Sequence, residues 1–297
     1  MFVYSIDILS KKSFNHFKEF TNKHYKELVK TLLNDDKIVI ERYINNIIKE
    51  LCVDEINVAE LTIIDKLYIL LCIRSYNISP KITLNTKTED EISIALTIDI
   101  NNTLQIIENL QITHTFEILC DGVTVRGTLP KNTSHQNTLD IVCNCIDTLI
   151  LKDNTITLTD LTIKQKQDVL NNLPLAILSQ ITKFLHSQET ILSATPVLVF
   201  DTNKDLPFEK QIYLSIFNNS TVELIKMLFN TNLRDFYATE YMLFKKFNMP
   251  FDAIMNSTPA ETNLYFDIIV KDIEQEKQEM QNQDQSQNVP IQSKQHS

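Results

Sequence analysis

Glycine is almost absent from this chain, which contains only Gly122 and Gly127 among its 297 residues. An average protein of this length carries roughly 20 glycines. Glycine lets the backbone approach a phosphate closely and adopt positive φ, so its scarcity excludes whole classes of motif. The sequence contains no GxGxxG dinucleotide loop, no GxxxxGK[ST] phosphate loop and no GxSxG nucleophile elbow. The chain must turn mainly with Asn, Asp, Ser and Pro.

Both glycines fall in one short segment, Cys120–Gly127, which predicts a β-hairpin with Asp121-Gly122 at its turn. We expect Gly122→Val to disrupt this hairpin while the helical parts of the chain stay folded, and we interpret both glycines as structural. Codon bias in an AT-rich genome explains much of the shortage, since Ile, Asn, Lys and Thr are abundant. The shortage therefore excludes chemistry without indicating a function.

Charge and hydropathy restrict the classes of partner. The chain has 38 acidic and 28 basic residues, a formal net charge of −10, and no dominant basic patch, which argues against nucleic-acid binding. The apolar stretches are too short to span a bilayer, and the start MFVYSIDILSKKSF lacks a signal-peptide pattern. Five cysteines, an odd number, indicate a reducing compartment. We expect a soluble chain with neither a membrane nor a nucleic acid as partner.

Hydrophobic periodicity predicts an α+β fold that is mostly helical. Five segments follow along the chain: an N-terminal strand and helical block at 1–80, a small antiparallel β-rich middle at 81–135, a helical region that packs with the N-terminal block at 136–200, a C-terminal helical module at 205–272, and a disordered polar tail at 273–297. The tail is rich in Gln and has no persistent apolar face, which is typical of disorder.

Individual residues predict several element boundaries. Phe14, Phe17 and Phe20 recur at helix-like intervals after a first strand, and Asn34 or Asp35 is expected to cap the next helix. Further helices are predicted over 139–150 and from Pro207 through Ile216, another is capped by Asn232, and capping boxes occur at Thr162–Gln165, Ser220–Glu223 and Thr258–Glu261.

A zinc site is the first candidate for chemistry. Cys120, Cys143 and Cys145 could join His114 or His135, because thiolate and imidazole are the ligands of tetrahedral zinc. The paired cysteines are spaced CxC rather than CxxC, and on a helix two such side chains point about 200° apart. We interpret these residues as buried or half-buried free cysteines and keep a zinc-stabilised binding module as an alternative.

Acid–base chemistry is the second candidate. The carboxylates at Asp35-Asp36, Glu89-Asp90-Glu91 and Asp252 lie at helix starts or in loops, where capping and solvated acids are normal. None of the six histidines lies near a nucleophile signature. We predict no catalytic residue and no cofactor, with an acid–base hydrolase as a further alternative.

Aromatic residues crowd the C-terminal helices, and most of them must belong to the core. Tyr237 and Tyr241 share one helical face, whereas Phe236 and Phe247 lie on an offset face. An exposed subset would form a protein-binding surface. The interface candidates are Tyr237, Tyr241 and Phe244.

Three segments of the sequence resemble the T-even phage baseplate hub assembly proteins: Glu60–Pro80, residues 141–154 (IVCNCIDTLILKDN) and residues 158–185. In the first segment the family has an Asp, an aromatic residue and an Arg before a turn, and the matching residues here are Asp65, Tyr68 and Arg74. The resemblance extends over roughly residues 1–195. Asn77 stands where the family pattern has glycine, and Asn tolerates left-handed backbone.

The resemblance implies a non-enzymatic protein that binds hub components and helps to assemble the centre of a contractile-tail baseplate. It implies structural roles for Asp65, Tyr68 and Arg74, such as capping a helix and bonding carbonyl groups at its end. The expected partners are other phage baseplate hub or tail proteins, and the expected location is the host cytoplasm during assembly or the virion tail baseplate. Hub subunit and assembly chaperone both stay open, as do the partner, the stoichiometry and the oligomeric state.

Overall fold

The computed structural model describes residues 2–87, 93–132, 138–152, 154–159, 161–199, 201–202, 211–218, 220–229 and 233–287. Helices make up 57% and strands 20% of the structure, which confirms the predicted α+β class with helices in the majority. Buried side chains from Ile6 to Phe229 form one hydrophobic cluster. The segment boundaries expected from the sequence stay predictions.

The N-terminal part of the chain is a β-hairpin. β1 (Val3–Ile8) pairs antiparallel with β2 (Ser13–Lys18), and Tyr4 lies opposite Phe17. The helix that the sequence predicted through Phe14 and Phe17 is therefore wrong. Residues three apart share a helix face but lie on opposite faces of a strand. Accordingly Phe17 is fully buried, whereas Phe14 is 61% exposed.

Three helices follow the hairpin: α1 (Asn22–Leu32), α2 (Lys37–Leu51) and, after a short 3-10 helix (Val58–Glu60), α3 (Ile63–Asn77). Asp36, one residue later than expected, caps α2, since its carboxylate accepts a hydrogen bond from the Ile38 backbone N–H at 2.9 Å. The side chains of α3 from Ile63 to Arg74 are all buried. A helix buried on every side belongs at the centre of a core.

The strands in the middle of the chain belong to two separate antiparallel sheets instead of one. β3 (Lys81–Lys87) and β4 (Ser93–Asp99) form a hairpin, and α4 (Ile100–Asn109), a helix that the sequence did not predict, follows with Asp99 as its N-cap. A four-stranded sheet comes next, in the order β5 (Thr115–Cys120), β6 (Val123–Thr128), β7 (Ile146–Leu151) and β8 (Asn154–Thr157).

The helix predicted over 139–150 is shorter than expected. α5 (Thr138–Cys145) ends where β7 begins, and Ile146 and Leu149 of β7 are buried. β7 pairs with β6, whose outer backbone groups would otherwise lack hydrogen-bond partners. Tertiary pairing therefore overrides the helical periodicity of this segment.

A helical part and three short strands follow: α6 (Ile163–Leu170), α7 (Leu175–Ala194), β9 (Pro196–Val199), β10 (Asp201–Thr202) and β11 (Gln211–Tyr213). The predicted capping box of Thr162 and Gln165 is present at α6. β10 extends the β3–β4 hairpin, and β11 pairs with β9. The helix predicted from Pro207 is thus wrong at residues 211–213, and Pro207 itself lies outside the described residues.

Four helices end the described chain: α8 (Ser220–Leu228), α9 (Leu233–Phe247), α10 (Phe251–Asn256) and α11 (Pro259–Gln287). Thr258 and Glu261 form the predicted capping box of α11. The predicted Asn232 cap and residues 288–297 lie outside the described residues. α11 continues through Gln287, and the bounds of the disordered tail expected at 273–297 stay a prediction. Across the residues that the structure describes, no helix combines the length and the apolar character that crossing a membrane requires.

Candidate protein-binding surface

Three exposed aromatic side chains follow one face of α9. Tyr237, Tyr241 and Phe244 are 42%, 62% and 44% exposed. Their spacing of i, i+4 and i+7 puts them on one stripe of the helix. They are the interface candidates taken from the sequence, and we call them the aromatic row. Exposed aromatic side chains in one stripe are typical of protein-binding surfaces.

The inner side of α9 attaches the helix to α1. Leu243 is fully buried and Glu240 is 7% exposed. The ring of Phe236 meets that of Tyr25 on α1 edge to face, with centroids 5.9 Å apart. Because these contacts hold the inner side of α9, the aromatic row faces away from the core.

An ion pair that is largely shielded from water reinforces this attachment. The Lys26 ammonium on α1 donates to Glu240 Oε1 and Oε2 at 3.1 and 2.9 Å, and the two side chains are 15% and 9% exposed. The same ammonium lies 4.5 Å from the ring centroid of Tyr237 and 5.9 Å from that of Phe251, distances at which a cation and an aromatic ring attract each other. Sequence reasoning missed Lys26 because its partner is 214 residues away.

A cavity of about 200 Å³ lies between α1, α9 and the start of α11. Its walls include Tyr25, Phe236 and Glu240. Asn22, also in its wall, donates its side-chain amide to the backbone oxygen of Ile254 at 2.7 Å. Small-molecule sites usually exceed about 300 Å³, so we interpret this cavity as a packing gap between α1 and the C-terminal helices.

Asp65, which the family resemblance singled out, lies fully buried in the first turn of α3. Its Oδ2 accepts hydrogen bonds from the backbone N–H and the hydroxyl of Thr62 at 2.9 and 2.7 Å, and its own N–H donates to Thr62 Oγ1 at 3.2 Å. Oδ1 accepts from the backbone N–H of Ser10 at 2.9 Å. Asp65 therefore completes the capping box of α3 with Thr62, the N-cap residue, and ties the turn of the N-terminal hairpin to this helix.

Tyr68 and Arg74 lie further along α3. The Tyr68 hydroxyl donates to Glu108 of α4, and burial raises the pKa of Tyr68. Arg74 is 8% exposed, its guanidinium lies 5.9 Å from the ring centroid of Phe229, and burial lowers its pKa. Its Nε and Nη1 have no hydrogen-bond partner in the described part of the chain. These two nitrogens therefore do not bond the carbonyl groups at the helix end.

The two glycines serve different needs. Asp121 and Gly122 take φ values of 52° and 77° at the hairpin turn, as a turn with two left-handed residues requires. A Cβ atom on Gly127 would lie 2.5 Å from Cζ of Phe116 and closer still to the carbonyl oxygen of Cys145. Gly122 thus supplies a backbone conformation, whereas Gly127 leaves space for its neighbours.

The candidate zinc ligands do not form a cluster. Cys120 ends β5, whereas Cys143 and Cys145 lie at the end of α5, and all three are free. Burial raises the pKa of Cys143 to about 11 and raises that of Cys145 as well, which opposes the thiolate that a metal needs. Among the described residues, no three His, Cys, Asp or Glu side chains group where they could hold a metal ion. His135 lies outside those residues.

The candidate carboxylates are dispersed. Asp36 caps α2 and Asp252 lies in the first turn of α10, both exposed. Residues 89–91 lie outside the described part of the chain. The sequence had indicated capping or solvated acids at these positions, and Asp36 is such a cap.

The structure brings together two His–carboxylate pairs that sequence reasoning missed. His16 Nδ1 lies 2.9 Å from Asp54 Oδ2, and His24 Nε2 lies 3.3 Å from Glu50 Oε1. Asp54 also accepts the backbone N–H of His16 at 2.6 Å, and these hydrogen bonds lower its pKa. Neither pair borders the cavity beside α9. We interpret both pairs as local ties between β2 or α1 and the end of α2.

Comparison with known proteins gives one family. A family model described as T4 bacteriophage base plate protein matches residues 1–217 of the 297. The match runs from β1 through β11 and ends before α8. Neither the curated proteins nor the solved structures give a match. The aromatic row and Glu240 therefore lie beyond the matched residues, whereas Lys26 lies within them.

Proposed function

The chain belongs to the family of T4 bacteriophage base plate proteins, and on that premise we propose that it acts at the baseplate hub by binding other phage proteins, either as a hub subunit or as a factor that assembles the hub. The resemblance found in the sequence is confirmed at the level of a T4-type phage baseplate protein. Such a protein is a structural component of the phage tail, and its partners are other baseplate or tail proteins. The hub and the choice between subunit and assembly factor belong to the proposal.

The aromatic row is the observation that carries this proposal. Tyr237, Tyr241 and Phe244 expose between 42% and 62% of their surface on a helix whose other side is fixed by Leu243 and the Lys26–Glu240 pair. Covering large aromatic rings removes apolar surface from water, and the loss of conformational freedom is small because the helix is already ordered. Tyrosine is also enriched among the residues that dominate binding free energy.

Mass spectrometry of purified virions separates the two forms of the proposal. Several copies per virion would support a hub subunit, whereas absence from virions together with loss of baseplates in a gene-deleted phage would support an assembly factor. A deleted phage that builds normal baseplates would contradict both. In the host cell, we expect the protein in the cytoplasm while baseplates assemble.

Point variants test the surface itself. In a gene-deleted phage, a plasmid copy carrying Tyr241→Glu should restore baseplates at least about tenfold less well than the unchanged protein, because a buried charge at an interface is costly. Leu175→Glu is the matched control, since Leu175 is 82% exposed at the first position of α7. Equal loss with both variants would show that any added charge impairs the protein and that the aromatic row has no special role.

A further inference from the structure

The segment Leu264–Val270 of α11 is apolar around most of the helix. Its sequence is LYFDIIV, in which Asp267 is the one charged residue. Successive residues of a helix turn by 100°, so Leu264 and Phe266 point about 200° apart. An apolar stripe on one face would serve a flat contact, but apolar side chains on opposite faces are typical of a helix that protein encloses.

None of these side chains is buried. Leu264, Tyr265 and Ile268 are 58%, 41% and 48% exposed, and Phe266, Ile269 and Val270 are half-buried. From residue 263 to residue 279, every side chain of α11 is exposed or half-buried. The apolar segment is therefore only partly enclosed, whereas its sequence indicates a helix that protein surrounds.

Charge limits what can enclose the segment. Residues 259–287 of α11 contain seven acidic residues and two basic ones, Lys271 and Lys277. Five of the acidic residues follow the apolar segment: Asp272, Glu274, Glu276, Glu279 and Asp284. Like charges repel when two such helices meet, whereas a basic surface attracts them. The excess of acidic residues in α11 favours a basic partner over a second copy of this chain or an anionic lipid surface.

The short length of the apolar segment favours a partner that has a groove. The segment is about 10 Å long, and two helices that touch over this length bury a few hundred Å² at most, well below the roughly 800 Å² per partner of a standard interface. A groove contacts several sides of an inserted helix at once and so covers Leu264 and Phe266 together. Insertion of an apolar helix into a groove is a recurring mode of protein recognition.

We propose that Leu264–Val270 docks into an apolar groove, rimmed by basic side chains, on another phage baseplate protein. The class of partner rests on the proposed function, whereas the groove and its charge rest on α11 alone. The segment lies beyond residue 217, where the family match ends. The contact therefore adds to whatever binding residues 1–217 provide.

The experiment titrates the full chain against the other baseplate proteins of the same phage, purified one at a time, by isothermal calorimetry. One of them should bind, Ile268→Glu should weaken that binding at least about tenfold, and a rise in NaCl from about 50 to about 300 mM should weaken it further. The pair Glu274→Lys and Glu276→Lys should also weaken it. Gln278→Glu, which adds the same charge on the exposed polar part of α11, should stay within about twofold.

Several results would overturn the docking site. These are binding to none of the baseplate proteins, binding that Ile268→Glu leaves unchanged, self-association in sedimentation equilibrium that Ile268→Glu abolishes, or binding only to anionic phospholipid vesicles. Failure of the two proposals can be told apart. A phage with Ile268→Glu that assembles normally, while a gene-deleted phage does not, removes the docking site and leaves the proposed function.

Discussion

The ammonium of Lys26 on α1 donates hydrogen bonds to both carboxylate oxygens of Glu240 on α9, at 3.1 and 2.9 Å. Lys26 lies within the residues that the family model matches, and Glu240 lies beyond them. Tyr237, the first residue of the aromatic row, has its ring centroid 4.5 Å from the same ammonium. This contact therefore joins the family's part of the molecule to the helix that displays the aromatic row.

Replacing Glu240 by Gln should lower the free energy of unfolding by about 2 kcal/mol, because a largely buried ammonium would lose its charged partner. Gln keeps the size of the side chain, so packing against α1 is little disturbed. Urea unfolding followed by circular dichroism measures the loss. In the double variant with Lys26→Met the loss should be smaller than the sum of the two single losses. Additive losses would mean that the two residues act independently.

Tyr241→Ser should change the free energy of unfolding by less than about 0.5 kcal/mol, because Tyr241 is 62% exposed. Leu243→Ala, two residues further along α9, should lower it by about 2–5 kcal/mol, because Leu243 is fully buried. Urea unfolding of both variants makes the comparison. A loss at Tyr241 as large as that at Leu243 would place the aromatic row in the core and remove it as a binding surface.

Short-range patterns could be predicted from the sequence, since each depends on neighbouring residues. The capping boxes at Thr162–Gln165 and Thr258–Glu261 are present, and Tyr237 and Tyr241 share a face as their spacing indicates. The fold class followed from periodicity in the same way. The spacing of aromatic residues on a helix also indicates which of them share a side, and this is why the sequence alone could suggest the aromatic row.

Features that depend on distant residues could not be predicted. The spacing of Phe14 and Phe17 fits a helix, and only pairing with β1 makes this segment a strand. Residues 146–151 have helical periodicity but complete the sheet beside β6. The Lys26–Glu240 pair has no local signature at all. In the two strands a tertiary contact outweighs the local preference for helix, and in the ion pair the tertiary contact is the only signal.

The buried amine of Lys66 should make stability depend on pH. Lys66 is 1% exposed, donates to the Lys131 backbone oxygen at 2.6 Å and lies 4.0 Å from Glu41 Oε1. Burial lowers its pKa from 10.5 to about 8. The unfolded chain then binds the proton more tightly than the folded chain, so the contribution of Lys66 to stability rises as pH rises through this interval. The rise should be about 2 kcal/mol from about pH 7 to about pH 10.

The measurement compares the unchanged protein with Lys66→Met. Burial raises the pKa of Cys72 to about 12 and that of Cys143 to about 11. As pH rises above the unfolded pKa of these thiols, their contribution to the free energy of unfolding falls, which is opposite to the effect of Lys66. Because both proteins contain these thiols, their effect cancels in the difference. The free energy of unfolding of the unchanged protein minus that of Lys66→Met should increase with pH. Parallel curves would contradict a lowered pKa at Lys66.

Asp65→Asn should cost about 3 kcal/mol of unfolding free energy although the two side chains have the same shape. Both carboxylate oxygens of Asp65 accept hydrogen bonds, from Ser10 on one side and Thr62 on the other. An Asn amide group would point a donor at one of these donors. Asp36→Asn is the matched control and should change little, because Asp36 is an exposed N-cap and Asn caps helices equally well. Equal effects in urea unfolding would refute the role given to the buried network.

The last prediction ranks the two glycines. Gly122→Ala should cost about 1–2 kcal/mol, because its φ of 77° is unfavourable for a residue with a Cβ but no atom lies within 4 Å of the added methyl group. Gly127→Ala should cost more than about 3 kcal/mol, since its methyl group would meet the Phe116 ring and the backbone oxygen of Cys145, which joins α5 to β7. Urea unfolding of both variants gives the order. A larger cost at Gly122 than at Gly127 would show that this sheet depends more on the turn conformation than on the space beside β6. The loss of the hairpin alone in Gly122→Val stays a prediction.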